Sequence, residues 1–231
     1  MTASIRLRRA GWTVAAGCGL AGPVLFTAAW VAGSLRQAGH AAAQVQLSGL
    51  AAMDARDPQI MMAGFVGLGV CSVAFGAALR RVPAAGRAGP WLIQTAGLAV
   101  VAAGLFRRDH LLLTGPGWAG ESWRGQVHDL VSAVAYAAMI AAPLVLAGRL
   151  RRDPGWRPLS PVLAALAVAS AAALALFASQ AAGPATPAVQ RAAVSLPLAA
   201  EMLLAGRLLA ERLLAGTRPG GQRRIAPRGQ S

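Results

Sequence analysis

Few side chains in this sequence could do more than pack, and those few are unevenly placed. Three histidines, His40, His110 and His128, fall beside or between long apolar stretches, in company with Asp54, Asp57, Asp109, Glu121 and Asp129. Imidazole and carboxylate are the ligand types of a zinc-like ion and common carriers of a proton. One pair stands out by position. Asp109 closes one apolar stretch and His128 lies in the first turn of the next, so antiparallel neighbours bring the two to matched depth within hydrogen-bond reach. A carboxylate beside an imidazole would fix the ring's orientation. Ser132, one turn beyond His128, shares its helix face, whereas Asp129 lies on another. Ser48, His40 and His110 complete the candidate polar cluster.

Glu201 is the second candidate. It lies near the middle of the last apolar stretch, where charge is costly and often marks a substrate or proton path. Arg207, six residues on, faces elsewhere. The carboxyl is therefore expected to face the bundle interior and share its proton with Gln94, Thr95 or Ser170. Against these readings stands a plainer one, in which the His/Asp cluster clamps a loop to the helices. No HxxxH or HExxH spacing occurs in the chain, so no metal or cofactor is called for and catalysis has no motif behind it.

The elements that position these residues follow from composition. The 231 residues are 56% hydrophobic and 13% charged, where a soluble domain carries about 25% charged residues. Too little polar surface remains to cover a globule, so most of the chain must face lipid. The apolar residues fall into six runs near the roughly 20 residues that cross a bilayer. They span about Gly11–Ser34, Pro58–Leu79, Pro90–Phe106, Gly125–Gly148, Ser160–Gln180 and Thr186–Arg212. Asp57-Pro58, Ser160-Pro161 and Thr186-Pro187 read as cap-plus-proline helix starts. The third run is short unless it continues through Arg107 and Arg108, which would then snorkel to the interface. The fold class is thus all-α and membrane-embedded: six transmembrane helices in one bundle. A basic segment 1–10 precedes it and a Gly/Pro/Arg-rich tail 213–231, expected to be disordered, follows. Residues 4–10 resemble the head of a signal peptide, but the apolar run behind them is too long for a cleavable one.

A net charge of +14 would suggest nucleic acid in a soluble protein. Here every basic residue is Arg, and each sits at a span end or in a flank except Arg207. Fifteen flank the termini and the second and fourth loops, against six on the other side: Arg36, Arg56, Arg107, Arg108, Arg124 and Arg191. That asymmetry places both termini in the cytoplasm (N-in/C-in) of a cell inner (plasma) membrane, with lipid as the expected partner and no nucleic acid. The His/Asp cluster then lies on the extracytoplasmic face. Cys18 and Cys71 lie inside apolar runs and read as small hydrophobes, not as a disulfide.

Three segments resemble a bacterial membrane family catalogued as domain of unknown function 998. The first exterior loop, QVQLSGLAAMDARDPQIMMAGF, is similar to that family's Ser-Gly/Glu-Leu loop. GLFRRDH is similar to its Gly-x-Phe-x-x-Asp element, and QVHDLVS to its His-initiated fourth span. The resemblance covers about Gly11 to Arg212 and implies a six-span fold, with Ser48, Asp109 and His128 at the recurring polar positions. It implies no activity. Three readings follow: a membrane protein of unknown role holding an exterior polar cluster, a small-solute or proton-coupled transporter using Glu201, or a metal-dependent hydrolase acting on lipid. A cavity reaching Glu201 would favour the second, and three convergent His or Asp side chains the third.

Overall fold

The computed structural model describes residues 2–39, 44–112 and 122–217, with the side chains of 10–39, 44–112 and 122–212. Within them six helices are long and apolar enough to cross a membrane. They are α1 (Thr2–Arg36), α2 (Gln59–Leu79), α3 (Ala88–Leu105), α4 (Trp123–Leu150), α5 (Ser160–Ala178) and α6 (Thr186–Thr217). Chain neighbours run antiparallel, and each helix packs on the next while α6 closes the ring against α1 and touches α4 across it. The first, third and fifth connections share one end, the odd-loop face. The termini and the remaining connections share the other, the terminal face. The residues 218–231 and His40 lie outside the described residues.

Close helix approach explains the glycines selectively. A Cβ on Gly97 would sit 2.6 Å from the carbonyl oxygen of Gly69, and one on Gly69 would meet the Gly97 carbonyl in return. Backbone therefore touches backbone where α2 crosses α3, as small residues permit in membranes. Gly17 and Gly67, with the same sequence character, have nothing within 4 Å of a Cβ position and carry no such contact. Pro197 removes the amide that would bond the Ala193 carbonyl one turn earlier. Ser170 of α5 donates its hydroxyl to that carbonyl at 2.7 Å, which satisfies the gap and ties α5 to α6.

Four sequence expectations about helix ends are corrected. Asp57 does not cap α2: it adopts a left-handed φ of 52° and its carboxylate takes a hydrogen bond from Arg36 Nε at 2.7 Å. Ser160 donates to the Ala147 carbonyl at 2.8 Å, joining the start of α5 to the end of α4, and the buried Thr186 hydroxyl has no hydrogen-bond partner among the described residues. The helix starts were legible because proline fits the first turn; the Asp57 carboxylate and the Ser160 hydroxyl went to tertiary partners instead of helix amides. Finally, α3 stops at Leu105, and Arg107 and Arg108 turn inward instead of snorkelling. The helix gains its length at the other end, from Ala88, and its 18 residues span about 27 Å.

Candidate functional site in the bundle and at its odd-loop face

The imidazole of His128 is buried, and its Nδ1 lies 2.9 Å from the Ala103 carbonyl oxygen and 2.8 Å from that of Phe106. Carbonyls only accept, so Nδ1 carries the hydrogen and donates to both. These oxygens lie at the end of α3, where a helix leaves its last carbonyls unpaired. The ring also meets Phe65 edge-on at 6.4 Å, so one side chain joins α2, α3 and α4. Asp109 accepts from the Ser122 amide at 2.5 Å and from its hydroxyl at 2.8 Å. Ser122 in turn caps α4 by accepting from the Gly125 amide at 3.3 Å. The Asp109–Ser122 and His128–α3 bonds thus splice the α3–α4 junction through different partners.

The other candidates separate further. His110 Nδ1 lies 3.4 Å from Asp54 Oδ2, both exposed, while Asp54 Oδ1 accepts from the Leu111 amide at 2.6 Å. Ser48 is buried at the start of a single 3-10 turn in the first loop, and Ser132 is half-buried on α4. Among the described residues no three His, Cys, Asp or Glu side chains gather as a metal site.

What sequence reasoning missed at this face is the set of arginines and glutamines that hold the first loop. Arg107 donates to the carbonyls of Ala51 and Ala52 at 2.9 and 2.6 Å. Arg191 donates to the Val45 carbonyl at 2.8 Å and lies over the Trp30 ring. Gln190 accepts from the Leu47 amide at 2.8 Å and donates to the Tyr136 hydroxyl at 3.0 Å. Gln37 is bonded both ways to the Arg56 backbone, and Arg108 lies 3.7 Å from Asp129. The outlying Arg36–Asp57 bond holds the Asp57 carboxyl below the usual carboxylate range. The available signal was polar residues within the first or last turn of an apolar run, which hydropathy alone assigns to anchoring.

The second locus lies in the middle of the bundle. Glu201 is buried, and its Oε2 accepts from the Ser72 hydroxyl of α2 at 3.1 Å. The expected partners are elsewhere: Gln94 donates to the Val73 carbonyl at 3.2 Å, Ser170 is committed to Ala193, and Thr95 is exposed. Glu201 Oε1 is buried with no hydrogen-bond partner among the described residues. Beside the side chain is a cavity of about 30 Å³, lined from α2, α3, α4 and α6 by residues including Ser72, Gly97, Pro143 and Pro197. A water needs roughly 10–15 Å³ of such space, so the cavity is the size of a water or a hydrated proton. Two of its four walls carry a proline where one helical hydrogen bond is missing.

Residues 20–207 match the family described as protein of unknown function (DUF998), a stretch running from the middle of α1 into α6. No curated protein and no solved structure matched the chain.

Proposed function

We propose that this chain, a six-helix membrane protein belonging to the DUF998 family of unknown function, is a proton-linked carrier of a small solute. Glu201 is the group that takes up and releases the proton. The observation behind the reading is that Glu201 has one oxygen held by Ser72 while the other, unpartnered among the described residues, belongs to a carboxyl lining a water-sized cavity inside the bundle. A carboxyl serving only to tie helices would use both oxygens, because an unpaired buried polar atom costs about 1–3 kcal/mol. The proline-broken walls supply helix segments that can shift without stripping a full ladder of hydrogen bonds. The hydrolase reading lacks its trio of ligands among the described residues.

In this reading the protein sits in the inner (plasma) membrane with the terminal face in the cytoplasm, as the arginine asymmetry supports. A cysteine introduced at Ala84, in the second connection, should resist an impermeant thiol reagent in intact cells. Labelling there would reverse the orientation. The carrier itself is tested in proteoliposomes holding a pH gradient and a pH-sensitive dye, challenged with a panel of small amines, acids and sugars. Wild type should move protons with at least one solute and Glu201→Gln with none. Infrared difference spectra give a readout without a solute: a carboxyl-stretch band that follows bulk pH in wild type should be missing in Glu201→Gln. Wild-type and Glu201→Gln spectra that change identically with pH would sink the proposal.

A further inference from the structure

The connection between α4 and α5, at the terminal face, holds a feature that the central carboxyl does not explain. It forms an open groove of about 420 Å³ lined by Arg151, Pro154, Arg157, Pro158, Ser160 and Pro161. The groove has a fixed shape. Trp156 is buried in the core and lies beneath the Arg207 guanidinium, and Ser160 is hydrogen-bonded to the Ala147 carbonyl. Three prolines stiffen what remains. The one acid of the connection, Asp153, folds back to accept from the Gly155 and Trp156 amides at 2.9 and 3.3 Å. The side chains of Arg151 and Arg157 are exposed and, among the described residues, have neither an ion pair nor a hydrogen bond. The neighbouring Arg149 is directed away, across Gly86 of the second connection.

Two unpaired guanidiniums on a rigid rim are suited to a phosphate, whose oxygens match their forked donors. Depth decides which phosphate. Both arginines flank span ends, and Pro161 and Val162, the first residues of α5 beside the groove, are exposed and apolar. A ligand seated here would have its charged head in the groove and hydrocarbon alongside α5. We infer that the groove is a binding site for the headgroup of an anionic phospholipid, held by Arg151 and Arg157. Basic pockets between spans recognise such headgroups at the leaflet surface.

Native mass spectrometry of the full chain in detergent, titrated with phosphatidylglycerol or phosphatidylcholine, tests the site. Wild type should bind the first phosphatidylglycerol roughly tenfold more tightly than phosphatidylcholine. The double variant Arg151→Gln/Arg157→Gln should lose that preference. Arg151→Lys/Arg157→Lys should keep part of it, which separates charge loss from misfolding. Arg152→Gln, a change in the same connection but off the groove, should bind as wild type does. Equal affinity of wild type for the two lipids, or an equal loss in Arg152→Gln, would overturn the assignment, since general surface charge would then account for the binding. Displacement of the bound lipid by millimolar glycerol phosphate would overturn it too, by showing a soluble phosphate to be the ligand.

Discussion

The odd-loop face and the centre of the bundle spend their polar groups in opposite ways. At the face, His128, Asp109, Arg107, Gln190, Arg191 and Gln37 almost all turn to backbone atoms of loops and helix ends. Such groups close a structural deficit, because carbonyls and amides outside a helix have no other partner away from water. In the centre, Glu201 meets one side chain and leaves an oxygen unmatched beside a cavity. The lesson concerns where to look for function: residue types associated with catalysis are consumed here by architecture, and the carboxyl at the middle of an apolar run is the group left with capacity to act.

That contrast can be broken from either side. The largest effect is expected at the most saturated residue. His128→Ala strips both carbonyls at the end of α3 of their donor and opens a cavity, which should cost about 3 kcal/mol. Thermal unfolding in detergent reads the loss, and a wild-type melting temperature would mean that the imidazole is dispensable to the junction. Arg107→Ala removes two hydrogen bonds to the first loop and should cost about 2 kcal/mol. Its signature is local: faster hydrogen exchange over residues 44–57, with α5 unchanged. Exchange that rises throughout the chain would deny that the loop is held as a separate unit.

Smaller changes probe the centre. Ser72→Ala takes from Glu201 its one observed partner at a cost of about 1 kcal/mol. Under the carrier reading it should also shift the pH dependence of proton movement without abolishing it. Loss of stability with an unmoved pH profile would make Ser72 a packing residue only. The smallest effect belongs to the exposed Arg36–Asp57 bond. Asp57 titrates below its ordinary range in the folded chain. Its stabilising contribution is therefore present above the unfolded carboxylate value of about 3.9 and is lost as pH falls through the lower folded value. Asp57→Asn should flatten the acid limb of a melting-temperature profile slightly and leave neutral pH nearly unchanged. A large loss at neutral pH would show that the left-handed corner, and not the ion pair, is what Asp57 supplies.

The number, order and approximate ends of the six helices were legible in the amino-acid sequence. Runs of about 20 apolar residues admit one solution in a bilayer, and Pro58, Pro161 and Pro187 punctuate three helix starts by a local steric rule. The sequence also marked Glu201 as exceptional, since placing a carboxyl in an apolar run costs more the deeper it lies, and depth follows from position along the run. The tertiary structure alone decided who meets whom. Their places at the end and start of consecutive antiparallel spans put Asp109 and His128 at one level, yet Asp109 found Ser122 and His128 found the carbonyls of Ala103 and Phe106. Depth told that Glu201 needed a partner, but Ser72 and not Gln94, Thr95 or Ser170 supplied it. A hydrogen bond requires atoms placed within a few tenths of an ångström, and that placement depends on helix rotation and crossing. Those are set by contacts such as Gly69 against Gly97, which involve residues distant in the chain, whereas helix length and proline position are fixed by residues adjacent in it.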